Sequence, residues 1–349
     1  MGNPLLSIII PVYKTGKTLC RCLDSVFNQI SDDDERVEVM AINDASPDDC
    51  GNLLTKYRVA HPSLRIVTHE VNKGEAGAHN TGIAESKGAY YTFLDSDDAY
   101  REDTVEKLLD IIRRFSPDLI HYAYERVNED GVYLSRSQIT ATGYYPIDTD
   151  DLKARRAIFH DTAFGIMTAG GVYRRGVAPD LKMNPQFPIS GERYYGWQFF
   201  AKCKTVFLLN EVLYSYYQYP NTVSRVLSDK AVEGLLELDV RFWHEMKQHP
   251  QFNVGGKYAF RRLFPGVVGW HYDIVFEAEP GKRKFADKYF NGLGEYLKGA
   301  RAFLWLGLGA VYLRLAVWLK SPVMVAAYRK VVVDIWWRVK RKLVGIVKW

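Results

Sequence analysis

The sequence predicts an α/β fold in which a mostly parallel central sheet is flanked by helices on both faces. Two observations carry this reading. Over the first hundred residues, short apolar runs alternate with stretches whose apolar residues recur at helical spacing, the pattern of strand–helix units in a parallel sheet. Polar clusters follow the successive runs: Asp44, then Asn72 to Asn80, then Asp95 to Asp98. A parallel sheet gathers such strand ends on one edge, where ligands bind.

The elements follow in order. Leu6 to Tyr13 is an apolar strand closed by Pro11. Thr18 to Gln29 places Leu19, Cys22, Leu23, Val26 and Phe27 on one helical face. Val37 to Ile42 is a second strand, and Asn43-Asp44-Ala45-Ser46-Pro47 is a turn into a helix over 48–60. Leu64 to Thr68 is a third strand, 75–87 is helix-compatible, and Ala89 to Leu94 is a fourth strand. Glu102 to Phe115 reads as a helix and Asp118 to Ala123 as a strand.

The fourth strand runs into Asp95-Ser96-Asp97-Asp98, three carboxylates within four residues and no basic residue among them. Carboxylates stacked at a strand end repel unless a cation sits between them, and Mg²⁺ or Mn²⁺ held together with substrate phosphates supplies one. The plainer reading is a solvated acidic turn capping the next helix. A calcium loop is excluded, because Ala99 and Tyr100 break its ligand spacing. The Gly-x-x-x-x-Gly-Lys-[Ser/Thr] phosphate loop is absent, and Gly74, Gly77 and Gly82 have the wrong spacing and place for a dinucleotide fingerprint. A phosphatase with an aspartate nucleophile shares the Asp-x-Asp signature, but normally on the first strand, which here ends Pro-Val-Tyr.

Five segments in register carry a resemblance: Ile9-Ile10-Pro11-Val12-Tyr13, Asn43-Asp44-Ala45-Ser46, Asn72-Lys73-Gly74, His79-Asn80-Thr81-Gly82 and Phe93-Leu94-Asp95-Ser96-Asp97-Asp98. Together they resemble the family 2 glycosyltransferases, inverting enzymes of the GT-A fold that use nucleotide-sugar donors. The resemblance covers about the first third of the chain. It implies that Pro11, Val12 and Tyr13 line the nucleobase pocket and that Asp44 hydrogen-bonds the base, commonly uracil. It implies that Asp95 contacts the ribose and helps with the metal, that Asp97 ligates the Mg²⁺ or Mn²⁺ bridging the two phosphates, and that Asp98 orients the loop or the donor sugar. The family usually has Arg where this chain has His79, a residue that could face the diphosphate or simply cap or pack.

In the following stretch, Gly165 to Arg175 resembles the family's strand after the metal site, with Gly170-Gly171 where a large residue is frequent. Two glycines leave room or let backbone approach a ligand. Inverting transfer to a hydroxyl needs a general base. The family's acidic pair matches Glu192-Arg193 here, which makes Glu192 the candidate base and Asp180 a weaker one; an acid at a helix N-terminus is the structural alternative. The tyrosine-rich run Tyr214 to Tyr219 and the loop to Ser224 resemble the segment that closes over the diphosphate, although packing is the expected fate of most of these rings.

The composition, 47% hydrophobic and 25% charged, is globular. Cys20, Cys22, Cys50 and Cys203 lack the second pair a zinc site needs. A strand beginning within five residues of the N-terminus leaves no signal peptide there. Both points favour the cytoplasm. The net charge of +5 conceals an asymmetry: from Lys282 onward 15 Lys/Arg face 3 Asp/Glu, a net of +12, so the first 281 residues carry −7. Phe303 to Leu319 has the single charge Arg314, which with its glycines disfavours a membrane span. Lys330 to Lys348 alternates basic and apolar faces with Trp336, Trp337 and Trp349, the pattern of a helix lying in an anionic membrane surface rather than one binding nucleic acid. Packing against protein is the alternative.

The sequence therefore predicts a GT-A catalytic domain over 1–225, its nucleotide-sugar half 1–100 and its acceptor half 101–225. A helical bridge follows over 226–280, then a C-terminal helical, membrane-associated extension over 281–349. The expected activity is transfer from a nucleotide-diphosphate sugar, UDP-linked by resemblance, to a lipid-linked or glycolipid acceptor in surface-polysaccharide synthesis, at the inner face of the plasma membrane. A non-catalytic nucleotide-sugar-binding module is the rival from another class; it needs no base and no acceptor groove.

Overall fold

A computed structural model of the 349-residue chain describes residues 3–137, 139–149, 154, 158, 168–187, 190–219 and 229–248. The chain divides into two units, Met1–Thr222 and Val223–Trp349. In the first unit, β1 (Leu6–Val12) buries Leu6, Ile8, Ile9, Ile10 and Val12 completely. A strand apolar on both faces belongs at the centre of a covered sheet. It pairs in parallel with β2 (Val37–Asn43), buried along its whole length. The partly exposed β3 (Leu64–Thr68) extends the sheet in parallel on the far side of β2, and β4 (Tyr90–Phe93) lies parallel to β1 on its other side.

Three helices cover these strands. α1 (Leu19–Phe27) buries the five residues its spacing singled out, Leu19, Cys22, Leu23, Val26 and Phe27. Each large apolar side chain so buried contributes about 1.5–3 kcal/mol. α2 (Cys50–Ala60) buries only Cys50 and Leu54. α3 (Gly74–Glu85) lies so close to β1 that a Cβ on Gly82 would stand 2.2 Å from a methyl of Ile9. Gly82 is thus fixed by helix–strand approach rather than by turn geometry.

The second half adds β5 (Ala99–Tyr100), α4 (Thr104–Phe115), β6 (Leu119–Asn128), β7 (Tyr133–Arg136), β8 (Gly143–Pro146), β9 (Gly171–Arg174), α5 (Gly191–Phe200) and β10 (Thr205–Gln218). Among the described residues these make one ten-stranded sheet of order β3-β2-β1-β4-β9-β6-β10-β5, with β7 on β6 and β8 on β10. The mostly parallel expectation holds for the first four strands. Beyond them the sheet is mixed, because β9 runs back antiparallel between β4 and β6. β6 outruns its expected end at Ala123, since the polar Glu125, Arg126 and Asn128 are paired with β10. Of the strand expected from Gly165 to Arg175, residues 165–167 lie outside the described residues, and the rest is a 3-10 turn over Thr168–Gly170 followed by β9.

At the edge of the sheet away from the polar clusters, Glu38 closes a network. Its carboxylate accepts from Ser7 Oγ at 2.6 Å and from the Lys87 N–H at 2.7 Å, and pairs with Arg65. Of the second unit, α6 (Asp229–Gln248) is described; it buries Ala231, Val232, Leu235 and Leu238 along one face. The remainder of the expected 226–280 bridge, the loop to Ser224 and the basic 281–349 extension lie outside the described residues. No helix among the described residues is long and apolar enough to cross a membrane.

Candidate active site

The C-terminal ends of β1 to β4 lie on one edge, as parallel pairing requires, and deliver the expected clusters there. Two loops begin with a non-glycine residue in the left-handed region, Lys14 after β1 (φ 57°) and Ala45 after β2 (φ 54°). Such conformations are uncommon and collect at functional sites. The loops are tied together: Lys14 N–H donates to Ser46 Oγ at 2.8 Å, Gly16 N–H donates to Asp48 at 3.0 Å, and Ser46 Oγ donates to Asp48 at 2.5 Å.

Of the residues implied for the base pocket, Pro11 is half-buried, and Tyr13 is 40% exposed with Lys14 Nζ 5.0 Å from its ring centre. The Val12 side chain is fully buried in the core and offers a ligand no surface; the residue contributes through its carbonyl, which accepts from the Asp44 N–H at 3.0 Å. Asp44, 2% exposed, is held by a partner that pattern reading missed. His69 Nδ1 lies 2.6 Å from Asp44 Oδ1, the Lys73 N–H donates to the same oxygen at 2.8 Å, and His69 Nε2 lies 2.9 Å from Thr81 Oγ1. One carboxylate oxygen is thus committed to the protein. His69 directly follows the third strand, and that position is its only signature in the sequence.

His79 does not join the cluster. Its ring is fully buried, edge-on to Phe93 at 4.6 Å between centroids, with Nδ1 3.0 Å from the Glu75 carbonyl one helical turn earlier. Burial pulls its pKa down to about 4, so the ring is neutral near pH 7. A buried neutral imidazole presents no surface and no charge to a diphosphate, and His79 here is a packing residue. Its neighbour Asn80 faces elsewhere: its amide donates to the Met183 carbonyl at 2.9 Å and accepts from the Met183 N–H at 2.8 Å. That pair joins α3 to the segment leading toward Glu192.

The acidic turn is not a solvated cap. Asp98 is fully buried and accepts from the Tyr214 hydroxyl at 2.5 Å and the Tyr217 N–H at 2.7 Å. It is a structural clasp between the turn and β10. Asp95 and Asp97 are half-exposed beside it. Burial, then Asp98, Glu192, Asp97 and Glu75, pushes the Asp95 carboxyl well above the usual range, and burial raises Asp97 too. The clash of charges reaches two residues from other elements. Glu192, in the first turn of α5, is one of them. The other is Glu75 at the start of α3, which the sequence reading passed over. Its side chain is exposed at the surface, and desolvation followed by the charges of Glu192 and Asp97 pushes its pKa up to about 8. Asp180 stands exposed in the turn after β9 and acts on none of these groups.

The Gly170-Gly171 pair does not open space for a ligand. A Cβ on Gly171 would lie 2.7 Å from the hydroxyl of the fully buried Tyr173, and its carbonyl accepts from Thr92 Oγ1 at 2.8 Å. Aromatic packing, not ligand approach, uses the missing side chains.

Among the described residues no three His, Cys, Asp or Glu side chains converge to hold a metal unaided. Asp95 and Asp97 nevertheless fit a hard cation that takes the rest of its shell from phosphate and water. Burial raises the pKa of both, neighbouring carboxylates add to it at Asp95, and at Asp97 the Arg21 charge opposes it.

With this geometry in hand, comparison with known proteins is informative. Residues 7–178 match the model for glycosyl transferase family 2. Through that domain the chain belongs to glycosyltransferase family 2. It is 26% identical to the uncharacterized glycosyltransferase EpsJ of Bacillus subtilis, over 67% of each chain. It is 35% identical to the chondroitin synthase of Escherichia coli over 38% of this chain and 19% of that one, so it spans two thirds of one relative and a fifth of the other. Its fold is similar to the crystal structure of S. aureus TarS 1–349 in complex with UDP-GlcNAc, with a TM-score of 0.70 at 16% identity, covering 93% of this chain and 89% of that one.

Proposed function

We propose that this family 2 domain transfers a sugar from a UDP-sugar, with inversion, to a hydroxyl of a membrane-linked glycan during surface-polysaccharide synthesis. The observation that carries the reading is the convergence of Glu192 from α5 on Asp95 and Glu75. A carboxylate from the second half of the domain stands at the acidic strand end of the first, which is what a transferase needs and a nucleotide sensor does not.

In this reading the Asp44 carboxylate, held by His69, accepts from the base, and the exposed Tyr13 ring flanks it. Asp97, helped by Asp95, would hold Mg²⁺ or Mn²⁺. Such an ion neutralises the diphosphate leaving group. Glu192 takes the proton of the acceptor hydroxyl as its oxygen bonds to the anomeric carbon; the bond from that carbon to the diphosphate breaks, and the nucleoside diphosphate departs with the electron pair. A UDP-GlcNAc-bound neighbour of the same fold and relatives called glycosyltransferase and chondroitin synthase support the donor class and the polysaccharide setting. The basic tryptophan-bearing sequence after Lys282 supports a peripheral place on an anionic membrane.

Purified protein should release nucleoside diphosphate from one member of a panel of nucleotide sugars when given its acceptor and Mn²⁺. No release from any UDP-sugar across a broad acceptor panel, combined with tight UDP-sugar binding, would favour a binding module instead.

A further inference from the structure

Arg21 projects from the first turn of α1, within none of the segments that carry the family resemblance. Its Nη2 donates to the Asp97 carbonyl at 2.5 Å and to the Tyr219 hydroxyl at 2.6 Å. Its guanidinium carbon lies 3.5 Å from the centre of the Tyr217 ring. The Tyr219 hydroxyl reaches the same Asp97 carbonyl at 3.4 Å. Tyr217 in turn donates its N–H to Asp98. One planar cation therefore joins three elements: the first helix, the turn of carboxylates and the end of β10. A guanidinium donates and stacks at once, which an ammonium cannot do.

The chemistry of the turn explains why such a joint is needed. Three carboxylates crowd within four residues, and among the described residues no Lys or Arg side chain bonds the Asp95 or Asp97 carboxylate; the Arg21 charge acts on Asp97 from its backbone side, lowering a pKa that burial raises. Arg21 bonds the Asp97 carbonyl rather than its carboxylate. It holds the residue in place and leaves the side chain available.

We propose that Arg21 is a positioning residue for the cation-binding turn, fixing Asp97 through its backbone against Tyr217 and Tyr219 so that the carboxylate faces the diphosphate site. The proposal rests on the reading of Asp97 as a metal ligand given above. It extends the site to a residue on α1 and to two tyrosines otherwise accounted for by packing.

The test compares the full chain with Arg21→Lys, which keeps the charge, and Arg21→Met, which removes it. Mn²⁺ binding in the presence of UDP is read by electron paramagnetic resonance, and backbone order by hydrogen–deuterium exchange. Groups that orient metal ligands typically account for about 10–100-fold in metal affinity. Both variants should lose Mn²⁺ affinity by about that factor, with exchange rising over residues 95–100 and 214–219 and staying unchanged over 37–43. Arg21→Lys guards against a variant that fails to fold, because it retains the charge and the aliphatic stem. Tighter Mn²⁺ binding by Arg21→Met with wild-type binding by Arg21→Lys would mean that Arg21 acts only as a repelling charge, and the proposal fails. Unchanged exchange over 95–100 overturns it irrespective of metal. A wild-type chain that takes up no Mn²⁺ with UDP defeats the metal reading itself, an outcome distinct from either.

Discussion

The Tyr214 hydroxyl donates a hydrogen bond to Asp98 across 2.5 Å, in a place where neither residue meets solvent. The acid closest to Asp97 in sequence is thereby a fastening, with its second oxygen taken by the Tyr217 N–H. Leaving a buried acceptor without its donor costs about 1–3 kcal/mol. Tyr214→Phe should therefore lower the melting temperature and reduce transfer together, because the turn of carboxylates loosens. Differential scanning calorimetry of the variant checks this; an unchanged melting temperature would mean that Asp98 finds another donor.

Asp97→Asn removes charge but little volume from the half-exposed end of the turn. The fold should survive, relief of repulsion even favouring it, while donor-dependent Mn²⁺ uptake and most transfer are lost. Full activity of the variant, or of the wild type in excess chelator, would remove the cation from the reaction. A phosphoryl group trapped covalently on Asp95 would point instead to an aspartyl phosphatase.

Glu192→Gln retains size and hydrogen bonding but cannot accept the acceptor's proton. Turnover should fall by ~10²–10⁴-fold with donor affinity nearly unchanged, read by steady-state release of nucleoside diphosphate and by calorimetric titration of UDP. Wild-type turnover in this variant would shift the base role to Glu75, the other distant acid acting on Asp95, or to the exposed Asp180.

Glu38 supplies a pH dependence free of the site. Burial alone would raise its pKa, but hydrogen bonds from the Lys87 N–H and Ser7 and the Arg65 charge outweigh it and leave the pKa lowered. A carboxyl depressed in the folded state stabilises above its unfolded pKa, and that contribution disappears as pH falls through the folded value. Glu38→Gln should melt below wild type at neutral pH, and the gap should begin to narrow as pH drops below the ordinary glutamate value of ~4.3 and vanish only below the lower folded value. A gap constant with pH would assign the effect to packing.

Residues 322–349 carry the cluster Arg338, Lys340, Arg341 and Lys342. Each cation near an anionic leaflet contributes about 1 kcal/mol. Removing the segment should release the protein from anionic liposomes in flotation while sparing donor hydrolysis. Equal flotation with neutral lipid would show that charge is not what binds it.

The first four strands were legible because a covered parallel sheet demands continuous apolar runs, and Leu6 to Val12 and Val37 to Asn43 satisfy that without ambiguity. The acidic strand end was legible for a related reason, since clustered like charges have few structural uses, whereas Glu192 was singled out only by its resemblance to a family position. What pattern could not convey was partnership between distant elements. Nothing in the sequence around His69 says that it meets Asp44, nor that Arg21 meets Tyr219 almost two hundred positions later. His79 misled because a residue standing at a motif position inherits the motif's expectation, whereas its burial is decided by Phe93. Gly171 misled likewise, since the ring that fills its space comes from Tyr173 two residues on.

The Asn80 amide deals with Met183 as a neighbouring strand would, giving one bond and taking one. A single side chain thereby carries the register between α3 and the segment leading to α5, which in the proposed function serve the donor and the acceptor. Chimeras that graft a foreign acceptor segment onto this chain should tolerate wide variation over 176–187, provided the incoming backbone offers a free carbonyl and N–H opposite Asn80. Grafts that disrupt that one contact will misalign Glu192 however well their own residues are chosen.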